Sequence, residues 1–227
     1  MSALAHLQMV VDSLSENLHP AAFAGVCTIG ALFLVALAAE VPLVRSSLLW
    51  LLGAKDAHAV LRERRSIKEY KQAAVPAGVV TRALETAILA PNHFLTEPWR
   101  FRICGPETVS AFCALNEDKR AMFQKVPGWL VVTLKTDPDM SSKKALEDHA
   151  AVSCAVQNFQ LSLRADGVGA KWMTGALGIA PDAIMKAAAC PSGEHFMGVI
   201  WYGYEKGSVT KAPTRKLGLA GCLTELP

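Results

Sequence analysis

Residues Arg64-Arg65-Ser66-Ile67-Lys68 place two guanidiniums, a hydroxyl and an ammonium within one short stretch. Such a set suits a phosphate, because arginine presents a planar fork of donors and the hydroxyl adds another. Taken alone, the same tripeptide is what a solvated helix end looks like. Other chemistry is scarce. His93 falls in a loop, His149 at a helix start and His195 just before a strand, each remote from a partner in sequence; an isolated histidine is ordinarily solvated or hydrogen-bonded rather than a ligand. No GxSxG elbow is present, Gly167, Gly169 and Gly175 do not form the dinucleotide fingerprint, and the phosphate-binding P-loop is missing. Hydrolase, kinase and classical dinucleotide-fold readings all lose ground. Cys27, Cys104, Cys113, Cys154, Cys190 and Cys222 are widely spaced without a CxxC pair, which fits structural thiols better than a zinc knuckle, a dithiol centre or a disulfide framework. No metal site is expected.

The bulk composition narrows the field further. The chain has 227 residues, 23 Lys and Arg, 20 Asp and Glu and a net charge of +3. That charge is small and scattered, with no basic run interleaved with aromatics, so nucleic acid is not an expected partner. At 52% hydrophobic and 19% charged residues, the sequence is that of a folded domain with an appendage.

The appendage is residues 1–55. Leu4, Leu7, Val11, Leu14 and Leu18 recur at spacings of three and four, an amphipathic helical stripe. Residues 21–39 then contain no charge and one clearly polar side chain, Thr28; as a helix they would rise roughly 28 Å, close to a bilayer's hydrocarbon thickness. This predicts a single-pass membrane anchor. The cationic residues Arg45, Lys55, Arg62, Arg64 and Arg65 follow the run, which places the C-terminal domain on the cytosolic side. Two alternatives stay open. Ala36-Leu37-Ala38 resembles a cleavage site, giving a removed targeting segment and a soluble organellar domain, although no basic n-region precedes it. A packed core helix is the third.

Residues 56–227 read as a mixed α/β domain. Asp56 caps a short helix through Val60 and Leu61 towards Arg64. Pro76 suits a first helical position, and Val79, Val80, Ala83, Leu84, Ala87 and Ile88 share one face until Pro91. Trp99, Phe101 and Ile103 alternate with Arg100 and Arg102, the period of a half-buried strand. The unbroken apolar runs at 129–134 and 196–204 predict central strands. A long helix over 147–164, ended by Asp166-Gly167, is expected in the middle of the fold, and Pro181 opens another helix.

In order along the chain stand Arg64-Arg65-Ser66, the block from Ala90-Pro91 to Pro98-Trp99-Arg100-Phe101, Gln157-Asn158 in the long helix, Gly169 to Gly175, and a terminal Arg215. Each is common; as an ordered set over about 170 residues they resemble the nitroreductase family of FMN enzymes, most of all its compact bacterial members. The resemblance implies an α+β fold, with a central mixed sheet packed by helices around a buried central helix, to which this chain adds an N-terminal hydrophobic helical extension. It implies FMN as cofactor and NAD(P)H as reductant, with hydride passing through the flavin to a small oxidised acceptor such as a nitroaromatic or a quinone. No catalytic side chain is required, since the flavin carries the chemistry.

By the same resemblance, Arg64, Arg65 and Ser66 are implied to contact the phosphate and ribityl groups, with Arg215 as a second phosphate clamp. Lys68 approaches the flavin's pyrimidine side. His93 and the stretch Trp172, Met173, Thr174 and Gly175 line the ring. A homodimer with two FMN sites at its interface is also implied. Leu95 and Glu97 stand where many members carry Asn and Gln, and Glu69 replaces a further basic residue of some relatives. The related membrane-anchored iodotyrosine deiodinases share a TEPW sequence, making a reductive dehalogenase the alternative enzyme; residues 105–127, however, are short and lack that branch's Glu, Tyr and Lys lid set. A non-catalytic flavin-binding membrane protein is the alternative outside enzymology.

Overall fold

A computed structural model describes residues 56–207 and 215–226. Contacts divide the chain into two units, Met1–Asp56 and Ala57–Pro227, and the second carries the elements that follow. The predicted anchor at 21–39 lies outside the described residues. The expected membrane location is corrected here: among the described residues, no helix is long and apolar enough to cross a membrane.

Among the described residues the sheet has four strands: β1 (Trp99–Ile103), β2 (Gly128–Lys135), β3 (Val168–Met173) and β4 (Glu194–Tyr204), in the order β1-β2-β4-β3. Every pairing between these strands is antiparallel. The sheet's mixed character comes from one parallel bridge, in which Ser66 joins the outer side of β3 at Ala170. Six α-helices complete the described fold: α1 (Ala57–Glu63), α2 (Ala77–Ala87), α3 (Pro106–Leu115), α4 (Arg120–Phe123), α5 (Lys143–Ala165) and α6 (Pro181–Ala187).

Alternation along β2 explains why its run is apolar throughout. Leu130, Val132 and Leu134 enter one core with α2 and α5, whereas Trp129 and Val131 enter a second core with α3, α4 and α6. The sheet is thus sandwiched between two helical layers. The second core stacks aromatic edges on faces: Phe123 meets Trp129 at 5.3 Å between centroids, and Trp129 meets Trp201 at 5.1 Å. On the other face, α5 brings Ala151, Ala155, Val152, Val156, Phe159 and Leu163 against the sheet. Its small residues let the backbone approach closely. Its opposite face, with Leu146, His149 and Cys154, is exposed.

Several boundaries moved. Helix α5 starts at Lys143, where the Ser142 hydroxyl accepts from the Ala145 amide, rather than near Glu147. Pro76 stands one place before α2 as its cap residue. His195 lies within β4, not ahead of it, and His149 is inside α5. Helix α3 and strand β3 had no counterpart in the sequence reading. Among the described cysteines none is paired; Cys113 is buried, but Cys154 and Cys222 are exposed and so are not core packing.

Candidate functional site

The segment that leaves α1 runs along the free edge of β3. Ile67 N–H donates to the Ala170 carbonyl at 3.1 Å, and Ser66 pairs with Ala170 in parallel. Two features fix this course. Gly169 leaves room for Ile67, since a Cβ there would stand 2.5 Å from Ile67 Cγ1. Arg164, buried at the end of α5, fans out to Glu63 at 3.1 Å and to Glu205 at 3.2 Å. That clamp ties the last residue of α1, immediately before Arg64, to the end of β4.

Arg64, Arg65 and Arg215 form a cationic cluster without a carboxylate among their described partners. Burial, then Arg65, then Arg215 push the Arg64 guanidinium below its ordinary value; each neighbour raises the local positive potential. Arg65 Nη1 donates to the Arg64 carbonyl at 2.5 Å, while its Nε is buried with no acceptor. A buried donor left unpaired costs about 1–3 kcal/mol. Three crowded guanidiniums and an orphaned N–H are the electrostatic pattern of an anion site.

The segment touches β3 at one parallel bridge, Ser66 to Ala170, and by Tyr70 it has turned to pair with Glu205 beyond the end of β4; Lys68, between the two, lies close enough to Lys171 to be felt by it. Burial, followed by Lys68 and then Lys119, depresses the Lys171 ammonium, and its Nζ lies 5.5 Å from the centre of the Trp201 ring. Trp172 is held by its indole N–H, which donates to the Met197 carbonyl at 2.9 Å. Gly198 makes this possible: it adopts φ +136°, and a Cβ there would sit 2.4 Å from Trp172 Nε1. Met173 is buried, so only its backbone is available to a ligand, whereas Thr174 and Gly175 are exposed at the strand's end.

The structure thus gathers Arg64, Arg65, Ser66, Lys68, Trp172, Met173, Thr174, Gly175 and Arg215 about one sheet edge. His93 is elsewhere. It opens a short 3-10 turn before β1, the strand at the opposite edge of the sheet. There His93 Nδ1 lies 2.7 Å from Glu147 and its ring stacks on Phe94. The pairing with His93 holds the Glu147 carboxyl below its usual range.

Phe94, Leu95 and Glu97 have φ of 52°, 52° and 44°, a left-handed conformation costly for side chains of this size. It persists because the turn is pinned. Thr96 Oγ1 donates to Asp148 at 2.5 Å, Glu97 N–H to Asn92 at 3.0 Å, and Arg100 to the Glu97 carbonyl at 2.9 Å. Asp148 also accepts from Thr136 and Lys144, both at 2.5 Å. Burial works to raise its carboxyl, but the Lys144, Thr136 and Thr96 hydrogen bonds outweigh it and hold the group low. Asp148 and Arg164, the positioning residues of the two edges, were not singled out from the sequence. Each could have been sought as a charge amid the apolar positions of α5.

Comparison with known proteins fits this architecture. The model of the Nitroreductase family matches residues 61–136. YfhC of Bacillus subtilis, named as a candidate NAD(P)H nitroreductase, is 34% identical over 162 residues, covering 64% of this chain and 82% of that protein. YdjA of Escherichia coli K12, similarly named, is 25% identical, covering 65% and 87%. A nitroreductase-like family protein from Bacillus cereus superposes with a TM-score of 0.65 at 26% identity, over 76% of this chain and 96% of that one. A candidate nitroreductase of Desulfovibrio desulfuricans, crystallised in complex with FMN, gives 0.62 at 25% identity over 76% and 98%. These relatives lend no support to the membrane location read from residues 21–39.

Proposed function

Since the chain belongs to the nitroreductase family, as its similarity to YfhC shows, we propose that it holds FMN along residues 64–68 and reduces small oxidised acceptors with NAD(P)H. The observation that carries this reading is the Arg64, Arg65 and Arg215 cluster, which has no carboxylate among its described partners, together with the orphaned Arg65 Nε. Those groups fit a phosphate monoester. Ser66 lies next along the strand edge and Lys68 follows it near Lys171, so a hydroxyl and a further cation succeed the guanidiniums along the segment. FMN, when bound, supplies hydride acceptance and donation; the chain supplies binding, orientation and charge. An ammonium at Lys68 favours added negative charge on a ring beside it. Thr174 and Gly175 offer backbone groups at the mouth.

The separation of His93 from this cluster supports a homodimer, in which the turn at 93–97 of one protomer completes the edge site of its partner. Leu89, Phe94, Leu95 and Leu146 are 78%, 87%, 79% and 60% exposed on neighbouring elements, an apolar surface suited to a second copy. Nitroaromatics and quinones are the proposed acceptors, as flat molecules able to lie against a flavin. Nothing favours the dehalogenase alternative: residues 105–127 fold into α3 and α4, and their aromatics Phe112 and Phe123 are wholly buried in the core rather than placed in a lid.

FMN titration of the 227-residue chain and of its Arg64→Ala and Arg215→Ala variants tests the assignment. Removing a charge-assisted hydrogen bond worth about 1.5–3 kcal/mol weakens FMN by roughly 10- to 100-fold. Unchanged affinity in both variants would remove the phosphate site from this cluster.

A further inference from the structure

A second cavity lies beyond Lys68, further along the same segment. It has a volume of about 630 Å³ and is bounded by residues 68–72, by α4 with the turn after it, and by Lys206. That volume is within the range of about 300–1,000 Å³ typical of small-molecule sites. Its apolar wall is Tyr70, Met122 and Val126; its rim carries the ammonium groups of Lys68, Lys125 and Lys206 against one carboxylate, Glu69. No ion pair occupies those three lysines among the described contacts. Lys119 and Lys171 extend the positive field on the side of Lys68.

The walls are tied rather than loose. Gln72 Nε2 donates to the Lys125 carbonyl at 2.8 Å, Lys206 N–H to the Glu69 carbonyl at 3.0 Å, and Lys71 N–H to the Tyr204 carbonyl at 2.8 Å. The Tyr70 hydroxyl donates to the Ile67 carbonyl at 2.7 Å, so its ring is fixed in the wall and its polar tip is already used. The cleft is therefore preformed, apolar within and cationic at the mouth, a combination that selects flat or compact apolar bodies bearing a negative group.

We propose that this cleft binds an amphipathic organic anion, a carboxylate, sulfonate or phosphate on an apolar body, as a site separate from the Arg64, Arg65 and Arg215 cluster. Lys68 belongs to both sites. An anion in the cleft draws that ammonium away from the edge of β3, so occupancy and flavin binding oppose one another through a single side chain. This last coupling rests on the proposed FMN reading; the anion site does not.

Calorimetric titration of the 227-residue chain with naphthalene-2-sulfonate, with and without saturating FMN, tests the inference. One saturable site per chain is expected, and it persists with FMN present at a few-fold lower affinity. Lys125 and Lys206 are exposed and outside the proposed flavin site. Lys125→Glu with Lys206→Glu should lower probe affinity about tenfold, the Lys125→Gln and Lys206→Gln pair by less, from loss and reversal of surface attraction. The remote Lys186→Glu should change nothing, and uncharged 2-naphthylmethanol should bind at least about tenfold more weakly than the sulfonate. Equal affinity in the double variants, equal affinity for the neutral probe, or complete displacement by FMN would overturn the proposal. A chain that binds the sulfonate but never FMN would leave the cleft in place and remove the flavin reading.

Discussion

Replacing Asp148 by alanine probes how the strained turn before β1 is held. Its side chain is 2% exposed and accepts three hydrogen bonds, from Thr96, Thr136 and Lys144. Alanine leaves two hydroxyls without that acceptor, at about 1 kcal/mol each, and breaks a partly buried ion pair. Lys144 is 51% exposed, so its ammonium rehydrates and the pair costs far less than a fully buried one. The sum is about 3 kcal/mol for Asp148→Ala, and about 1–2 kcal/mol for Asp148→Asn, which keeps one acceptor oxygen.

The pH dependence has a definite sign. The Asp148 carboxyl is held below its ordinary value in the folded protein, so its stabilisation is complete above the unfolded carboxylate pKa of about 3.9 and is lost as pH falls through the lower folded value. Urea denaturation should therefore show a gap between wild type and Asp148→Asn that is full at pH 6 and narrows below about pH 4. Amide exchange at Thr96 and Glu97 should quicken in both variants, because the left-handed turn loses its anchor. A gap below about 0.5 kcal/mol at pH 6, or one that widens on acidification, would refute this account of the turn.

Gly198→Ala should destabilise the chain by about 2–3 kcal/mol, since φ +136° and a Cβ 2.4 Å from Trp172 Nε1 are both intolerable; thermal unfolding and a shift in tryptophan emission would report it. Gly169→Val should lift Ile67 from β3, because even a Cβ would stand 2.5 Å from Ile67 Cγ1. FMN affinity should then fall by about tenfold or more while the sheet, seen by circular dichroism, persists. Retained affinity would separate the strand-edge geometry from cofactor binding.

How far the sequence foretold this molecule depends on which residues are considered. Strands β1, β2 and β4 were legible because alternation, or burial on both faces, leaves a direct trace in residue type. Strand β3 was not: Gly169 is small because Ile67 packs on it, a reason that exists only in three dimensions. Helix α3 was missed although Gly105 and Pro106 mark its start, its apolar face being short and irregular. At the candidate site, the cationic residues could be gathered from sequence by resemblance alone. The separation of His93 from them, at the other sheet edge, could not, since it follows from strand order. Arg164 and Asp148 were hidden for a related reason: each looks like ordinary polar filler of a helix until its partners, distant in sequence, are brought against it.

Anaerobic visible spectroscopy of the FMN-reconstituted 227-residue chain shows whether the protein both holds flavin and passes hydride through it. A bound flavin spectrum should appear, bleach on addition of NADH or NADPH, and return when a quinone is added. A chain that cannot be loaded with FMN, or a bound flavin that neither nicotinamide nucleotide bleaches, would contradict the proposed function.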